Sequence, residues 1–173
     1  MILYNNAFDL YHTIFRILHL LNKVSPTEKI EVERIRIWDF YLLFPTQIFN
    51  IKPKRHEIEF KKLLKQLKVK KENPYQIIID QRKTLEQIKP YQIAALNCLA
   101  SYKIIDKNML LEDRIVIISK EILEQYITSL GEISPREKNI ISIVTSTFFD
   151  ISLPGVNGLK NRTNLIESKY DAK

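Results

Sequence analysis

The strongest concentration of chemically active side chains is a cationic segment at residues 52–71. It holds nine Lys or Arg and two Glu, a net charge of +7, whereas the rest of the chain carries 18 basic and 18 acidic side chains. Such a surface attracts a nucleic-acid phosphate backbone or an acidic protein surface, and a solvated helix face is the alternative. The side chains predicted to make these contacts are Lys54, Arg55, Lys61, Lys62, Lys65 and Lys68.

A second candidate for binding is the C-terminal segment at residues 154–173. It contains two of the three glycines of the chain, Gly155 and Gly158, and glycine adopts backbone conformations closed to other residues. Arg162 adds a planar donor fork that matches a carboxylate or a pair of carbonyls. We therefore expect a docking tail here, with a frayed chain end as the alternative.

Residues suited to catalysis or metal binding are scattered. Cys98 lies between Leu96 and Leu99, so we interpret it as a small buried side chain rather than a nucleophile. His12 and His19 are accompanied on their helix by a single carboxylate, too few ligands for a metal site. A phosphate-binding loop needs several closely spaced glycines, and the chain has only three glycines in 173 residues. We predict no catalytic residue, no bound metal and no cofactor.

The cellular context follows from cysteine use and from the apolar stretches. One cysteine excludes a disulfide framework, which is typical of a reducing compartment, and the N-terminal residues lack the pattern of an export signal. The most apolar stretch, residues 7–21, is interrupted by charged and histidine side chains and has the length of a core helix. A cytoplasmic protein without a membrane segment is expected.

The elements that position these residues are predicted to be mainly α-helical, in one domain over residues 1–173. Length and a hydrophobic fraction of 45% suit a single packed core. Apolar spacing predicts helices at residues 7–21, 31–44, within 52–71, and at 80–88, 90–101, 119–130 and 134–150. Gly131 is expected to end the 119–130 helix, and Ser134 to Glu137 to form a capping box.

Residues 75–118 have the element order of a winged helix-turn-helix. Two short helices, separated before Pro90, precede β-branched stretches at 102–106 and 113–119, which predict a small β-ribbon. The second helix carries no Arg or Lys, although reading of base edges favours such side chains. A winged-helix-like part used for protein contacts is therefore favoured, and a small DNA-binding winged-helix regulator is the alternative function.

Four stretches resemble one known family. They are residues 4–18 (YNNAFDLYHTIFRIL), 39–45 (DFYLLFP), 85–92 (LEQIKPYQ) and 155–171 (GVNGLKNRTNLIESKYD). In this order they resemble the middle components of bacterial ABC three-component conflict systems. Members of that family are similar in role to the accessory subunit of Lamassu-type anti-phage defence.

The resemblance implies an adaptor without catalytic activity. Such a subunit bridges an SMC/Rad50-like ATPase to an effector, commonly a nuclease, in a hetero-oligomeric anti-phage or anti-plasmid complex. DNA is then reached indirectly or through the basic segment. Together with the glycines and Arg162, the family's closing motif implies partner contacts by Gly155, Gly158, Leu159, Lys160, Arg162, Thr163, Leu165 and Tyr170.

Overall fold

The computed structural model describes residues 6–67, 78 and 80–167, and within them the chain is mainly α-helical, as predicted. A short 3-10 turn at Asn6–Phe8 precedes the first helix, and another at Pro45–Asn50 follows the second. The helices and strands are α1 Leu10–Leu21, β1 Ile30–Glu31, α2 Val32–Leu43, α3 Ile58–Gln66, α4 Gln81–Ser101, α5 Lys107–Leu111, β2 Arg114–Ile115, α6 Lys120–Leu130, α7 Pro135–Thr145, α8 Thr147–Asp150 and α9 Leu159–Thr163.

Helix α2 is the centre of the core. Ten of its twelve residues are buried, so the helix is surrounded on all sides rather than on one face. Trp38, Phe40 and Tyr41 supply most of the volume, and burial raises the pKa of the Tyr41 hydroxyl. Pro45 follows the capping residue Phe44 and prevents the helix from continuing, as predicted.

Helix α1 packs against α2 and α4. Its Asp9 cap accepts a hydrogen bond from the His12 backbone nitrogen at 2.8 Å, which satisfies one N–H of the first turn. Not every apolar side chain of this stretch is buried, since Tyr11 is 82% exposed. Arg16 is only 5% exposed because it meets a buried carboxylate of α2.

Residues 81–101 form one continuous helix, α4, with Pro90 inside it. The predicted break before Pro90 is therefore wrong, and the helices expected at 80–88 and 90–101 are one helix. A proline removes one backbone hydrogen bond from a helix interior. Here Leu85 and Ile88 before the proline and Leu96 and Leu99 after it are all buried in the same core, and this packing keeps both halves in one helix.

The predicted β-ribbon is present. Asp106 donates its backbone N–H to Val116 at 2.9 Å, and Ile118 donates to Ile104 at 2.9 Å. An additional strand, β1, pairs antiparallel with β2 in the register Ile30 to Ile115. This pairing joins residues far apart in sequence, which local patterns did not indicate.

Helices α6 and α7 begin and end at the predicted signals. Gly131 lies after α6 with φ +90°, and Ser134 and Glu137 form the capping box of α7. The predicted helix to residue 150 is interrupted at Ser146, because Ser142, Thr145 and Ser146 bond back to carbonyls four residues earlier, a pattern that bends helices. No helix in the described ranges combines the length and apolarity needed to cross a bilayer.

Candidate functional site

The C-terminal segment folds back on the body of the protein. The backbone N–H groups of Leu159 and Lys160 donate to the carbonyls of Ser152 and Leu153 at 2.8 and 3.2 Å. A Cβ at position 158 would lie 2.1 Å from the Pro154 carbonyl oxygen, so only glycine fits this turn. Gly155 has φ +95°, a conformation that also favours glycine.

Apolar contacts hold α9 in place. Leu159, Thr163 and Leu165 are buried, and the Thr163 hydroxyl donates to the Leu159 carbonyl at 2.8 Å. Four of the side chains predicted to touch a partner, these three and Lys160, therefore make their contacts within the chain. Their contact with a partner stays a prediction, and it would require this segment to move.

Two ion pairs join α9 to the rest of the fold. The Arg162 guanidinium donates to both oxygens of Glu57, at 2.5 and 2.8 Å, and more weakly to the Lys52 carbonyl at 3.3 Å. Lys160 Nζ lies 2.6 Å from a carboxylate oxygen of Glu33 on α2. The Arg162 and Glu57 side chains are only 9% and 13% exposed, so this is a largely desolvated, bidentate pair.

The environment of Glu57 favours its charged form. The hydrogen bond from Arg162, followed by the bond from the Lys54 backbone nitrogen, lowers the pKa of the Glu57 carboxyl against the opposing effect of burial. The carboxylate therefore stays ionised at neutral pH and binds Arg162 through a charge-assisted hydrogen bond. Glu57 also lies at the start of α3, where a negative charge stabilises the helix dipole.

The Arg162–Glu57 pair brings together the two regions that the sequence predicted separately. Glu57 belongs to the cationic segment and Arg162 to the C-terminal segment. Beside them is a depression of about 330 Å³ lined by Asn50, Ile51, Lys52, Lys54 and Arg162. Lys54 thus lines a concave surface together with a residue more than a hundred positions away in sequence.

The remaining predicted cations lie on or before α3. Arg55, Lys62 and Lys65 are exposed, and Lys61 is half-buried with its ammonium donating to the Arg55 carbonyl at 3.0 Å. Phe60 of this helix is buried in the core. Ile58, at the first position of the helix, is exposed. Lys68 and Tyr170 lie outside the described residues.

A buried polar network was missed at the sequence level. Arg16 donates to the two carboxylate oxygens of Asp39 at 2.6 and 3.3 Å, and Gln92 donates to Asp39 at 2.8 Å. The Gln92 carbonyl in turn accepts from Arg36, which also binds Glu86 at 2.8 Å. A charged residue within an apolar helix, as at Arg16 and Asp39, was the available signal.

A second missed contact anchors the segment that leads to the tail. Arg34 donates to the carbonyls of Phe148 and Ile151 at 2.7 and 2.9 Å, which lack helical partners at the end of α8. It also binds Glu31 at 2.7 Å. Burial raises the pKa of the Glu31 carboxyl, but this hydrogen bond, together with a backbone hydrogen bond and the charges of Arg34 and Arg114, lowers that pKa overall.

The catalytic candidates remain dispersed. Cys98 is half-buried rather than buried. His19 is buried, its Nε2 atom has no hydrogen-bond partner in the described part of the chain, and burial lowers its pKa. In residues 6–67, 78 and 80–167, no three His, Cys, Asp or Glu side chains are grouped so as to hold a metal ion.

Comparison with known proteins identifies a family. No curated protein sequence and no solved structure is significantly similar to the chain. The sequence profile described as ABC-three component (ABC-3C) system Middle Component 5 matches residues 2–171. This match includes α1, the central helix α2 and the C-terminal segment with Arg162. Because it covers nearly all of the sequence, the chain belongs to the Middle Component 5 family of ABC-three component systems.

Proposed function

We propose that this chain is a non-catalytic adaptor that joins an SMC/Rad50-like ABC ATPase to an effector subunit, a nuclease, in a cytoplasmic anti-phage or anti-plasmid defence complex. The observation that carries the proposal is the family match over residues 2–171. A middle component of a three-component system has partner components, and the chemistry of ATP and DNA ends is assigned here to those partners.

The surface supports a role in assembly. Large apolar side chains are exposed on three separate elements, Tyr11 on α1, Leu111 at the end of α5 and Val156 in the loop before α9. Single exposed apolar residues are common on soluble proteins. In a subunit of a complex, however, they are the first candidates for burial against a partner.

The C-terminal segment is the second support for the proposal. The loop at residues 154–157 is exposed, and so is the neighbouring side chain of Asn161. We assign this loop to the partner-facing side of the tail. The buried side chains Leu159, Thr163 and Leu165 then act by holding the loop in position.

Co-expression tests the adaptor directly. The chain, tagged at its N-terminus, is produced alone and together with the ATPase and effector encoded beside it, and recovery is quantified after affinity capture and size-exclusion chromatography. We expect the chain alone to self-associate or precipitate, and co-expression to give a soluble hetero-oligomer. A soluble monomer that captures neither component contradicts the proposal.

Single variants locate the contact. Tyr11→Asp, Leu111→Asp and Val156→Asp each place a charge at a position that is already exposed, so folding should be preserved. At least one should reduce capture of a partner by roughly tenfold or more, the size expected for an interface contact of about 1.4 kcal/mol. Ser129→Asp, an exposed polar position at the end of α6, is the matched control.

A further inference from the structure

We infer that the depression beside the Arg162–Glu57 pair binds an acidic segment of a partner protein, one that presents carboxylates together with apolar side chains. The inference rests on the proposed function and specifies the chemistry of one partner contact. The depression has a volume of about 330 Å³, and its lining includes Lys52, Lys54 and Arg162.

The charge of the depression is not compensated within the described chain. No carboxylate of the described residues forms an ion pair with Lys52 or Lys54, whereas Arg162 is paired with Glu57. Arg55 lies next to Lys54 and is exposed. Two lysines in the lining, with Arg55 next to one of them in sequence, give this surface a positive charge that a carboxylate group would neutralise.

The arrangement is also held in place before any ligand binds. Glu57 accepts a hydrogen bond from the Lys54 backbone nitrogen at 2.7 Å, and Arg162 donates to the Lys52 carbonyl. One ion pair therefore orders the backbone on both sides of Pro53. A preorganised loop lowers the entropy lost on binding, because fewer groups must be ordered by the ligand.

Exposed apolar side chains close in sequence to the residues of this site favour a protein ligand over nucleic acid. Phe49 precedes the lining residue Asn50 and is 49% exposed, and Ile58 follows Glu57 and is 73% exposed. Leucine or isoleucine side chains of a peptide could be buried against them, while a phosphodiester backbone offers no apolar group. The outer lysines of α3, Lys62 and Lys65, are exposed and remain the candidates for DNA contact.

Fluorescence anisotropy with the full chain tests this site. The probes are a fluorescein-labelled peptide that alternates Glu and Leu, the same peptide with Gln in place of Glu, and a labelled DNA duplex of random sequence. The variants are Lys52→Glu with Lys54→Glu, and a matched control, Lys83→Glu with Lys107→Glu, which makes the same change in net charge at two exposed lysines. Circular dichroism verifies that both variants fold.

We expect the acidic peptide to bind more tightly than its Gln counterpart. The Lys52/Lys54 variant should weaken acidic-peptide binding at least about tenfold, whereas the control variant should leave it within about twofold. Equal weakening by both variants would mean that only net charge matters. That result overturns the inference, as does binding of the duplex alone or of none of the probes.

Co-expression separates this inference from the proposed function. If the wild-type chain captures its partners and the Lys52/Lys54 variant captures them equally well, the site is wrong and the adaptor role stands. If the wild-type chain captures no component, the adaptor role is wrong. The peptide titration still decides whether the depression is an acidic-peptide site in that case.

Discussion

Two regions of this molecule each contain a bidentate arginine–carboxylate ion pair, in different surroundings. In the core, Arg16 binds Asp39, whose side chain is 0% exposed, and Gln92 adds a further hydrogen bond. At the C-terminal segment, Arg162 binds Glu57 at the edge of the fold. The core pair joins α1 to α2, whereas the edge pair joins a five-residue helix to a loop.

The difference shows that geometry alone does not set the energetic role of an ion pair. Loss of one partner of a fully buried pair leaves an unpaired charge without access to water, at a cost of about 3–5 kcal/mol. At the edge, solvent reaches the remaining partner after a small movement. The first pair is therefore expected to control global folding, and the second to control local attachment of the tail.

The largest expected effect follows Asp39→Ala. Removal of this carboxylate leaves the Arg16 guanidinium buried and deprives Gln92 of an acceptor, and we expect a loss of about 3–5 kcal/mol in the free energy of unfolding. Chemical denaturation followed by circular dichroism measures it. The matched control is Glu86→Gln in the same network, whose carboxylate side chain is 57% exposed and should change stability by less than about 1 kcal/mol. Equal losses in the two variants would contradict the comparison.

An intermediate effect is expected for Arg162→Ala. It removes the bidentate bond to Glu57 and the contact with the Lys52 carbonyl, and charge-assisted hydrogen bonds contribute about 1.5–3 kcal/mol. Amide hydrogen exchange should accelerate in residues 159–165 and remain unchanged in α2. Lys138→Ala is the control, because its contact with Glu132 is exposed and 3.8 Å long. Uniform acceleration across the whole chain would show that the tail is part of the global folding unit.

The Arg162 variant also tests the role of the tail in assembly. If the loop at residues 154–157 contacts a partner, release of α9 should reduce partner capture although the loop sequence is unchanged. Gly158→Ala should act in the same direction, because its Cβ would clash with the Pro154 carbonyl. Accelerated exchange at residues 159–165 with undiminished capture would remove the tail from the proposed interface.

The sequence predicted most of the helices because their signals are local. The Ser134–Glu137 capping box and Gly131 after α6 each act within a few residues. The apolar spacing of 31–44 likewise identified the central helix. Such features are readable without knowledge of the rest of the fold.

Features that depend on distant contacts were missed or misjudged. Pro90 was read as a helix boundary, yet packing on both sides of it outweighs the lost hydrogen bond. Arg162 was identified as a docking side chain, but its acceptor, Glu57, lies 105 positions away. The residue type was therefore predictable and its partner was not, since pairing is set by how the chain folds back.

The smallest expected effect is a difference in acid sensitivity between the two regions. Arg162 lowers the pKa of Glu57 below the ordinary glutamate value of 4.5. A carboxyl whose folded-state pKa is depressed contributes stability that is fully present above its unfolded value and is lost as pH falls through the folded value. The tail should therefore loosen below pH 4.5, with hydrogen exchange in residues 159–165, corrected for intrinsic rates, rising before that of α1. Glu57→Gln should loosen the tail already at neutral pH and flatten its local pH dependence over this range. If the tail and α1 instead open at the same pH in the wild-type chain and in the Glu57→Gln variant, the Glu57 pair does not govern attachment of the tail. Acid sensitivity would then belong to carboxyl groups elsewhere in the fold, such as Glu31 and Glu86, whose pKa values are also lowered by arginine partners.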